Sequence, residues 1–320
     1  MAILITGVCG FIGSNLARHF LDNGERVFGV DNLSRGTIDN VRILLDDDKF
    51  SFTQLNICDY NLLFEKVNNY NFKYQISEVW HLAANSDIPQ GIANSYVDLN
   101  DTYLTTFNIL KLLKELNIKI ISFSSTSAIY GNFGDRIITE DIGPLFPISN
   151  YGAMKLASEA SISAAVEGFL DKAFIFRFPN VIGMPATHGV IFDFINKLIV
   201  SPNELEVLGN GTQQKTYLHV DELIEAMIFV RKNGHEKLNY YNIGADDEGA
   251  SVKFIAEEVV KSFAPTAIIK YGNSDKGWIG DVPKFRYSID KIKKLGWSPQ
   301  LGSEESLKKA ILQITNHYSN

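Results

Sequence analysis

The chain has few cysteines, no long apolar run and no excess of basic residues, and each absence excludes a class of protein. Cys9 and Cys58 are its only cysteines, which are too few for a disulfide framework and lack the spacing of a zinc site. No apolar run approaches the ~20 residues needed to cross a bilayer, and the N-terminal one is too short for a signal peptide. The net charge of -7 offers no basic surface to nucleic acid or to an anionic membrane. We therefore expect a cytoplasmic protein whose partner is a small molecule, with no nucleic acid and no membrane bound.

What the sequence does contain is a regular alternation of apolar runs and helical patterns. Apolar runs predict strands at 2–6, 25–31, 50–55, 78–82, 118–123 and 173–178, and helical periodicity predicts helices at 13–24, 60–68, 97–116 and 151–168. Such alternation is typical of an α/β fold with a doubly wound parallel sheet. We expect this domain to span residues 1–179, with 215–242 returning to it. Residues 180–214 and 243–320 are expected to form a smaller, mixed α/β C-terminal domain that binds the substrate.

Gly7, Gly10 and Gly13 form a glycine-rich turn between the first strand and the first helix. One glycine permits the tight turn, the next lets backbone amides approach a pyrophosphate, and the third allows close packing of helix on strand. Asp31 ends the second strand 18 residues after Gly13, where it would bind an adenosine ribose and repel a 2′-phosphate. The pattern predicts bound NAD rather than NADP. Arg35, the one nearby side chain that could accommodate a phosphate, is expected to be a solvated loop residue.

Tyr151 and Lys155 stand four residues apart, so on a helix they face the same side. A tyrosine with a pKa near 10 is a poor base at neutral pH, and Lys155 with a bound nicotinamide cation is expected to stabilise its phenolate. By itself the pair also fits an ordinary surface helix, but beside the glycine turn it predicts acid–base chemistry. The hydroxyl-rich segment 124–131 follows the fifth strand, at the edge where open α/β sheets hold ligands.

Taken together, these motifs resemble the extended short-chain dehydrogenases/reductases, in particular nucleotide-sugar epimerases of the UDP-glucose 4-epimerase type. The resemblance covers nearly the whole chain and includes the segments 31–34, 81–84, 177–181, 208–213, 217–221, 280–283 and 295–297. It implies a Rossmann fold, NAD as cofactor and a homodimer formed through the helices that begin near Val97 and Tyr151. It also implies that Thr126 binds the sugar 4-hydroxyl while Tyr151, aided by Lys155, removes its proton. The C4 hydride would pass to NAD and return to the other face of a 4-keto sugar.

The resemblance further implies which residues contact each ligand. Those around NAD are Gly7, Gly10, Phe11, Ile12, Gly13, Asp31, Asn32, Ser34, Asn56, Ile57, Leu82, Ala83, Ala84, Ser124, Tyr151, Lys155 and Phe178. Those around the nucleotide-diphosphate sugar are Ser86, Thr126, Asn180, Val190, Lys215, Trp278 and Phe285. His81 and His219 match the family but are expected to be structural histidines with satisfied ring nitrogens.

Some positions depart from the family pattern and leave alternatives open. Ser127 and Ala128 stand where 4,6-dehydratases carry an acid and a base, which disfavours loss of water. Ser86 replaces a lysine near the cofactor phosphates. Of two arginines that hold the sugar-nucleotide diphosphate in relatives, one is replaced by Lys215 and the other by Trp278. A nucleotide-sugar 4-dehydrogenase, a 4,6-dehydratase and a non-catalytic NAD-binding sensor remain the alternative functions, and the base and the sugar stay open.

Overall fold

The computed structural model describes residues 1–134, 136–185, 188–274 and 287–319. The chain forms two compact units. The first comprises residues 1–131, 143–177 and 227–241, and the second comprises residues 132–142, 178–226 and 242–320. None of the described helices combines the length and the apolar character needed to cross a membrane.

Strands and helices alternate through most of the chain. The strands are β1 (Ala2–Thr6), β2 (Arg26–Asp31), β3 (Phe50–Gln54), β4 (Ile76–His81), β5 (Ile120–Ser124), β6 (Lys172–Arg177), β7 (Asn180–Ile182), β8 (Glu204–Val207), β9 (Gln214–Lys215), β10 (Tyr217–His219), β11 (Leu238–Asn242), β12 (Ala250–Ser251) and β13 (Ile268–Tyr271). The α-helices are α1 (Phe11–Asp22), α2 (Tyr60–Tyr74), α3 (Ile88–Ala93), α4 (Ser95–Asp98), α5 (Thr105–Glu115), α6 (Asn150–Gly168), α7 (Val190–Val200), α8 (Val220–Asn233), α9 (Val252–Phe263), α10 (Asp290–Leu295) and α11 (Ser303–Ser319).

The first unit is built on a seven-stranded sheet in the order β11-β6-β5-β4-β1-β2-β3. The six strands β6, β5, β4, β1, β2 and β3 are neighbours in this order, and each pairs in parallel with the next. This pairing confirms the expected doubly wound α/β fold. All five residues of β1 are buried, as expected for a strand covered on both faces. The chain order reverses between β1 and β4, so the connections after these strands diverge and leave a crevice at their carboxyl ends. The glycine turn follows β1 at this point.

The sheet differs from the sequence-based expectation at its edge. The strand predicted at 173–178 does not close the sheet, because β11 lies beyond it. The amide of Ala173 donates to the carbonyl oxygen of Lys237 at 2.8 Å, which fixes this pairing at one end. β11 has the sequence Leu-Asn-Tyr-Tyr-Asn and therefore lacks the continuous apolar run by which the other strands were predicted.

The long helix predicted at 97–116 is three segments, because a π-helical turn at Leu99–Leu104 separates α4 from α5. The hydroxyl of Thr105 donates to the carbonyl oxygens of Asp101 and Thr102. The hydroxyl of Thr106 also donates to the carbonyl oxygen of Thr102. Such hydroxyl-to-backbone bonds compete with the regular helix ladder and accompany bends. The turn changes the face that the preceding residues present, and it brings Asp98 into the interior.

The second unit has its own core, to which α7, α9 and α11 contribute. Its strands pair in three two-stranded sheets, β10 with β7, β12 with β9 and β13 with β8. Because β10 pairs with β7, residues 215–226 lie in this unit, and the return to the first unit starts at residue 227 rather than 215. Residues 132–142 also group here, where Ile138 forms a bridge with Tyr287.

Candidate active site

The glycine turn is shaped so that side chains larger than hydrogen do not fit. Gly7 has φ of +70°, and a Cβ on it would lie 2.9 Å from the backbone nitrogen of Ala83. A Cβ on Gly13 would overlap the carbonyl oxygen of Gly7. Gly10 is the N-cap of α1, and no described side chain caps that helix. The amides of the first turn of α1 are thus directed at whatever occupies the turn, which suits a pyrophosphate.

Asp31 provides the acceptor that a ribose requires. Asp31 is 7% exposed, and its carboxylate accepts hydrogen bonds from the amides of Cys9 (3.0 Å) and Leu33 (2.8 Å). One bond to each oxygen leaves further lone pairs for a vicinal diol. Burial raises the pKa of Asp31, and the backbone amides oppose that effect. The turn and this carboxylate therefore fit the pyrophosphate and the adenosine ribose of NAD.

Arg35 is an exposed loop residue, as expected from the sequence, and it also forms an ion pair. Its Nη1 lies 3.0 Å from Oδ2 of Asp87, so the pair joins the loop after β2 to the loop after β4. The segment that carries Arg35 folds back onto the glycine turn, where the side-chain amide of Asn40 donates to the carbonyl oxygen of Cys9 at 2.8 Å. A crevice lies here, lined by Ser34, Arg35, Ala84, Asn85, Gln90 and Asp101. The predicted cofactor residues Ser34 and Ala84 thus line one crevice.

The other predicted cofactor residues of the first unit follow the ends of its strands. The amides of Leu82 and Ala83 donate to the hydroxyl of Thr6 at 3.1 and 3.2 Å, which ties the end of β4 to the end of β1. Asn56 is exposed, and its side-chain oxygen accepts from the amide of Cys58 at 2.9 Å. The exposed side chains of Asn32 and Ser86 lie in the loops after β2 and β4.

Thr126 and Tyr151 are brought together by the approach of α6 to the segment after β5. The Thr126 side chain lies close enough to the phenol of Tyr151 to oppose the rise of its pKa. The Thr126 hydroxyl oxygen also accepts from the amide of Ala128 at 3.1 Å, which starts a short 3-10 turn. A Cβ on Gly152 would overlap the carbonyl oxygen of Ala128, so glycine allows this contact. The residue after the reactive tyrosine is therefore what permits Thr126 to reach it.

Lys155 lies one turn further along α6 and is 2% exposed. Its Nζ donates to the carbonyl oxygen of Ser124 at 2.6 Å and lies 4.6 Å from the ring centre of Phe123. The ring centre of Tyr151 is 5.9 Å away. Burial lowers the pKa of Lys155 to about 7, and the negative charge of Glu159 opposes that shift. This lysine can therefore gain or lose its proton near neutral pH.

The expectation that Lys155 and a bound nicotinamide cation together stabilise the Tyr151 phenolate stays a prediction. Burial raises the pKa of Tyr151 to about 12, with a further increase from the charge of Asp98, and Thr126 opposes both. The Lys155 ammonium is directed at the carbonyl oxygen of Ser124. A cationic ring bound beside the phenol would have to supply the missing stabilisation.

Asp98 is a buried acid that the sequence reasoning missed. It is 0% exposed, and its Oδ1 accepts from the side-chain amide of Asn85 at 2.8 Å. Its Oδ2 has no hydrogen-bond partner among the described residues, and a Cβ on Gly91 would overlap that oxygen. Burial and the charges of Asp101 and Asp87 raise the pKa of Asp98. The helical pattern around Asp98 gave no signal, because the π-helical turn decides which face is buried.

A buried ion pair between α6 and β6 was also missed. Nε of Arg177 lies 3.1 and 3.2 Å from the two carboxylate oxygens of Glu159, and its Nη2 lies 2.7 Å from Oε2. The two residues are 7% and 5% exposed, respectively. The spacing of Lys155 and Glu159 on one helix was the available signal.

His81 and His219 are structural, as expected. Nδ1 of His81 lies 2.7 Å from the hydroxyl of Thr6, and its Nε2 lies 3.1 Å from that of Thr106. Burial lowers the pKa of His81 to about 3, so the ring stays neutral. Nε2 of His219 lies 2.9 Å from the side-chain oxygen of Gln313. These hydrogen bonds satisfy ring nitrogens of both histidines and fix the imidazoles in the packed interior.

The remaining predicted ligand residues belong to the second unit or lie outside the described residues. Those in the second unit are Phe178, Asn180, Val190 and Lys215. The side-chain amide of Asn180 donates to the carbonyl oxygen of Thr216 at 3.3 Å, and Val190 begins α7. Trp278 and Phe285 lie outside the described residues. The assignment of these residues to the substrate therefore stays a prediction.

The chain is similar to one group of proteins in both sequence and structure. The model of the NAD dependent epimerase/dehydratase family matches residues 3–244. A UDP-glucuronate 4-epimerase of Thermodesulfobacterium geofontis is 30% identical over 319 residues, covering 96% of this chain and 94% of that protein. A dTDP-glucose 4,6-dehydratase of Haemophilus influenzae is 27% identical over 333 residues, covering 97% of each. The crystal structure of UDP-glucose 4-epimerase from Thermotoga maritima with UDP-glucose matches with a TM-score of 0.86 at 26% identity, covering 99% of this chain and 100% of that one.

Proposed function

The chain belongs to the NAD dependent epimerase/dehydratase family, and on that basis we propose that it inverts C4 of a nucleotide-diphosphate sugar. Its cofactor is NAD. The observation that carries the proposal is the close approach of α6 to the segment after β5, which places Thr126 near the phenol of Tyr151, with Lys155 one helical turn away and no acid or base at 127 and 128. The 4-epimerase named above among its relatives supports the same chemistry.

In the proposed reaction Thr126 and Tyr151 bind the 4-hydroxyl of the sugar, and Tyr151 takes its proton as the C4–H bond breaks. When bound, NAD supplies a hydride acceptor for C4 and afterwards the donor of the same hydride. Lys155 together with the bound nicotinamide cation would favour the phenolate form of Tyr151. The 4-keto sugar then turns over before hydride returns to its other face, and Tyr151 gives the proton back to the oxygen.

The dehydratase alternative is favoured by one observation, the similarity to the enzyme of Haemophilus influenzae. Loss of water from C5 and C6 needs an acid and a base beside the hydroxyl of Thr126. Ser127 and Ala128 occupy that segment, and neither side chain exchanges a proton at neutral pH. We therefore rank dehydration below epimerisation.

A panel of UDP, GDP, CDP and dTDP sugars, followed by NMR without added NAD, tests the proposal. We expect inversion at C4 for at least one member. Loss of water would instead identify a dehydratase, and release of a 4-keto sugar only after an electron acceptor is added would identify a dehydrogenase. A chain that binds NAD without turning over any member would act as the NAD sensor.

Tyr151→Phe tests the assignment of the base. We expect turnover to fall by at least ~10²-fold, because the substitution removes the proton acceptor. Bound NAD, measured by absorbance after denaturation, should be unchanged because the glycine turn is untouched. Full activity in the variant would contradict the mechanism.

The homodimer also stays a prediction. Tyr96, Leu99 and Phe107 are large apolar residues exposed along α4, the π-helical turn and α5, which is where the family resemblance places the contact. Sedimentation equilibrium would distinguish a dimer from a monomer.

A further inference from the structure

The ion pair of Glu159 and Arg177 is attached to both ends of the segment that carries Thr126. The hydroxyl of Ser125, the residue before Thr126, donates to the Glu159 carboxylate. Nη1 of Arg177 donates to the phenol oxygen of Tyr130 at 3.0 Å. Ser125 and Tyr130 are each 1% exposed, so neither bond is exchanged with water. One buried charge pair therefore holds the loop on both sides of the reactive hydroxyl.

Glu159 also acts on Lys155. The two residues are four apart on α6 and face the same side of the helix. The negative charge of Glu159 raises the pKa of Lys155, against the larger lowering by burial. The Lys155 ammonium donates to the carbonyl oxygen of Ser124, next to the serine that Glu159 holds. The carboxylate thus influences both the position of the loop and the charge of the lysine.

Other titratable groups around Lys155 are few within the described residues of the first unit. Tyr151 lies on the same helix, with its ring centre 5.9 Å from Nζ of Lys155, and the buried acid Asp98 acts on that phenol. His81 on β4 is affected by the charge of Lys155, but burial keeps its ring neutral. Arg177 on β6 remains cationic, because its bonds to Glu159 outweigh the opposing effect of burial on its pKa. Glu159 is therefore the charge that acts directly on Lys155, and Arg177 is the cation paired with it.

We propose that Glu159 and Arg177 are positioning residues, which hold the Thr126 loop against α6 and act with opposed charges on Lys155, one helical turn from Glu159. The inference rests on the proposed function for its catalytic consequence. A merely structural role would not predict a direction for the shift, whereas the proposed role predicts that loss of Glu159 and loss of Arg177 shift the charge state of Lys155 in opposite directions.

Single substitutions of the two partners should shift the charge state of Lys155 in opposite directions. Glu159→Gln keeps an acceptor for Ser125 but leaves the Arg177 charge uncompensated, so Lys155 should lose its proton at lower pH. Arg177→Gln leaves the Glu159 charge uncompensated, so Lys155 should keep its proton to higher pH. The alkaline limb of the kcat profile should move by about one unit each way. The double variant should lie near the wild type, since a neutral pair can replace a buried ion pair.

Two readouts keep the test decisive. The first is the pH profile of kcat, with Glu167→Gln as the control, because Glu167 is an exposed acid on the same helix. The second is the pH dependence of urea unfolding, compared with the same substitutions in a Lys155→Met background, which needs no activity. Shifts of the same sign, or no shift with reduced stability alone, would overturn the inference. If no nucleotide sugar is converted, the proposed function fails, and the unfolding measurement still decides the role of the pair.

Discussion

Lys155 is buried almost completely, and its charge state links folding to pH. Its pKa is about 7 in the folded protein, whereas a lysine in an unfolded chain titrates near 10.4. Between these values the unfolded chain binds one more proton, so the free energy of unfolding rises with pH. We expect a contribution of up to about 1.4 kcal/mol per pH unit over this window. Urea unfolding at several pH values should show this slope in the wild type and lose it in Lys155→Met.

A second prediction concerns the side chain of Asp98. Its charge raises the pKa of Tyr151, so Asp98→Asn should lower that pKa. A phenol that ionises more easily is available as a base at lower pH, and the acid limb of the kcat profile should therefore move to lower pH. Asp59→Asn, at an exposed N-cap, is the control and should leave the limb in place. An unchanged limb in Asp98→Asn would show that the two groups are not coupled.

At the scale of single elements, the glycine turn depends on backbone geometry that other residues cannot adopt. Gly7→Ala combines a φ of +70° with a Cβ 2.9 Å from the nitrogen of Ala83. We expect the variant to lose bound NAD and about 1–3 kcal/mol of stability. Gly168→Ala, near the end of α6, is a matched control, because a Cβ there meets no atom within 4 Å. Cofactor content after purification and the thermal midpoint check both. A Gly7→Ala protein that keeps its NAD would argue against the assigned pyrophosphate site.

Elements also differ in how well the sequence predicts them. β1 could be predicted because a strand buried on both faces has a continuous apolar sequence, whereas β11 pairs through a run that contains two asparagines. The placement of Tyr151 and Lys155 on one helix could be predicted from their spacing, but their role was predicted only in combination with the glycine turn. The roles of Asp98 and Glu159 could not, because their burial depends on partners 13 and 18 residues away in the chain. A charge becomes informative only when tertiary packing removes it from water.

At the scale of the whole molecule, the sequence predicted two domains but placed their boundaries differently from the structure. The strand β10 follows an irregular segment, and its short sequence gives no indication of which sheet it joins. Its pairing with β7 places it in the second unit, whereas the later part of α8 and β11 belong to the first. The chain therefore crosses between the two units more often than an alternation of strands and helices predicts.

We expect the pair of Arg35 and Asp87 to affect how long the cofactor stays on the protein. Both side chains are partly exposed, so dissolved salt screens their attraction. We expect NAD to dissociate faster at high ionic strength, and Arg35→Met to release it at a fast rate that no longer depends on salt. Stopped-flow exchange against a fluorescent NAD analogue measures both rates, and equal salt dependence in the two proteins would contradict the expectation. With slow exchange, the protein would keep its activity on extreme dilution and behave as though NAD were a prosthetic group.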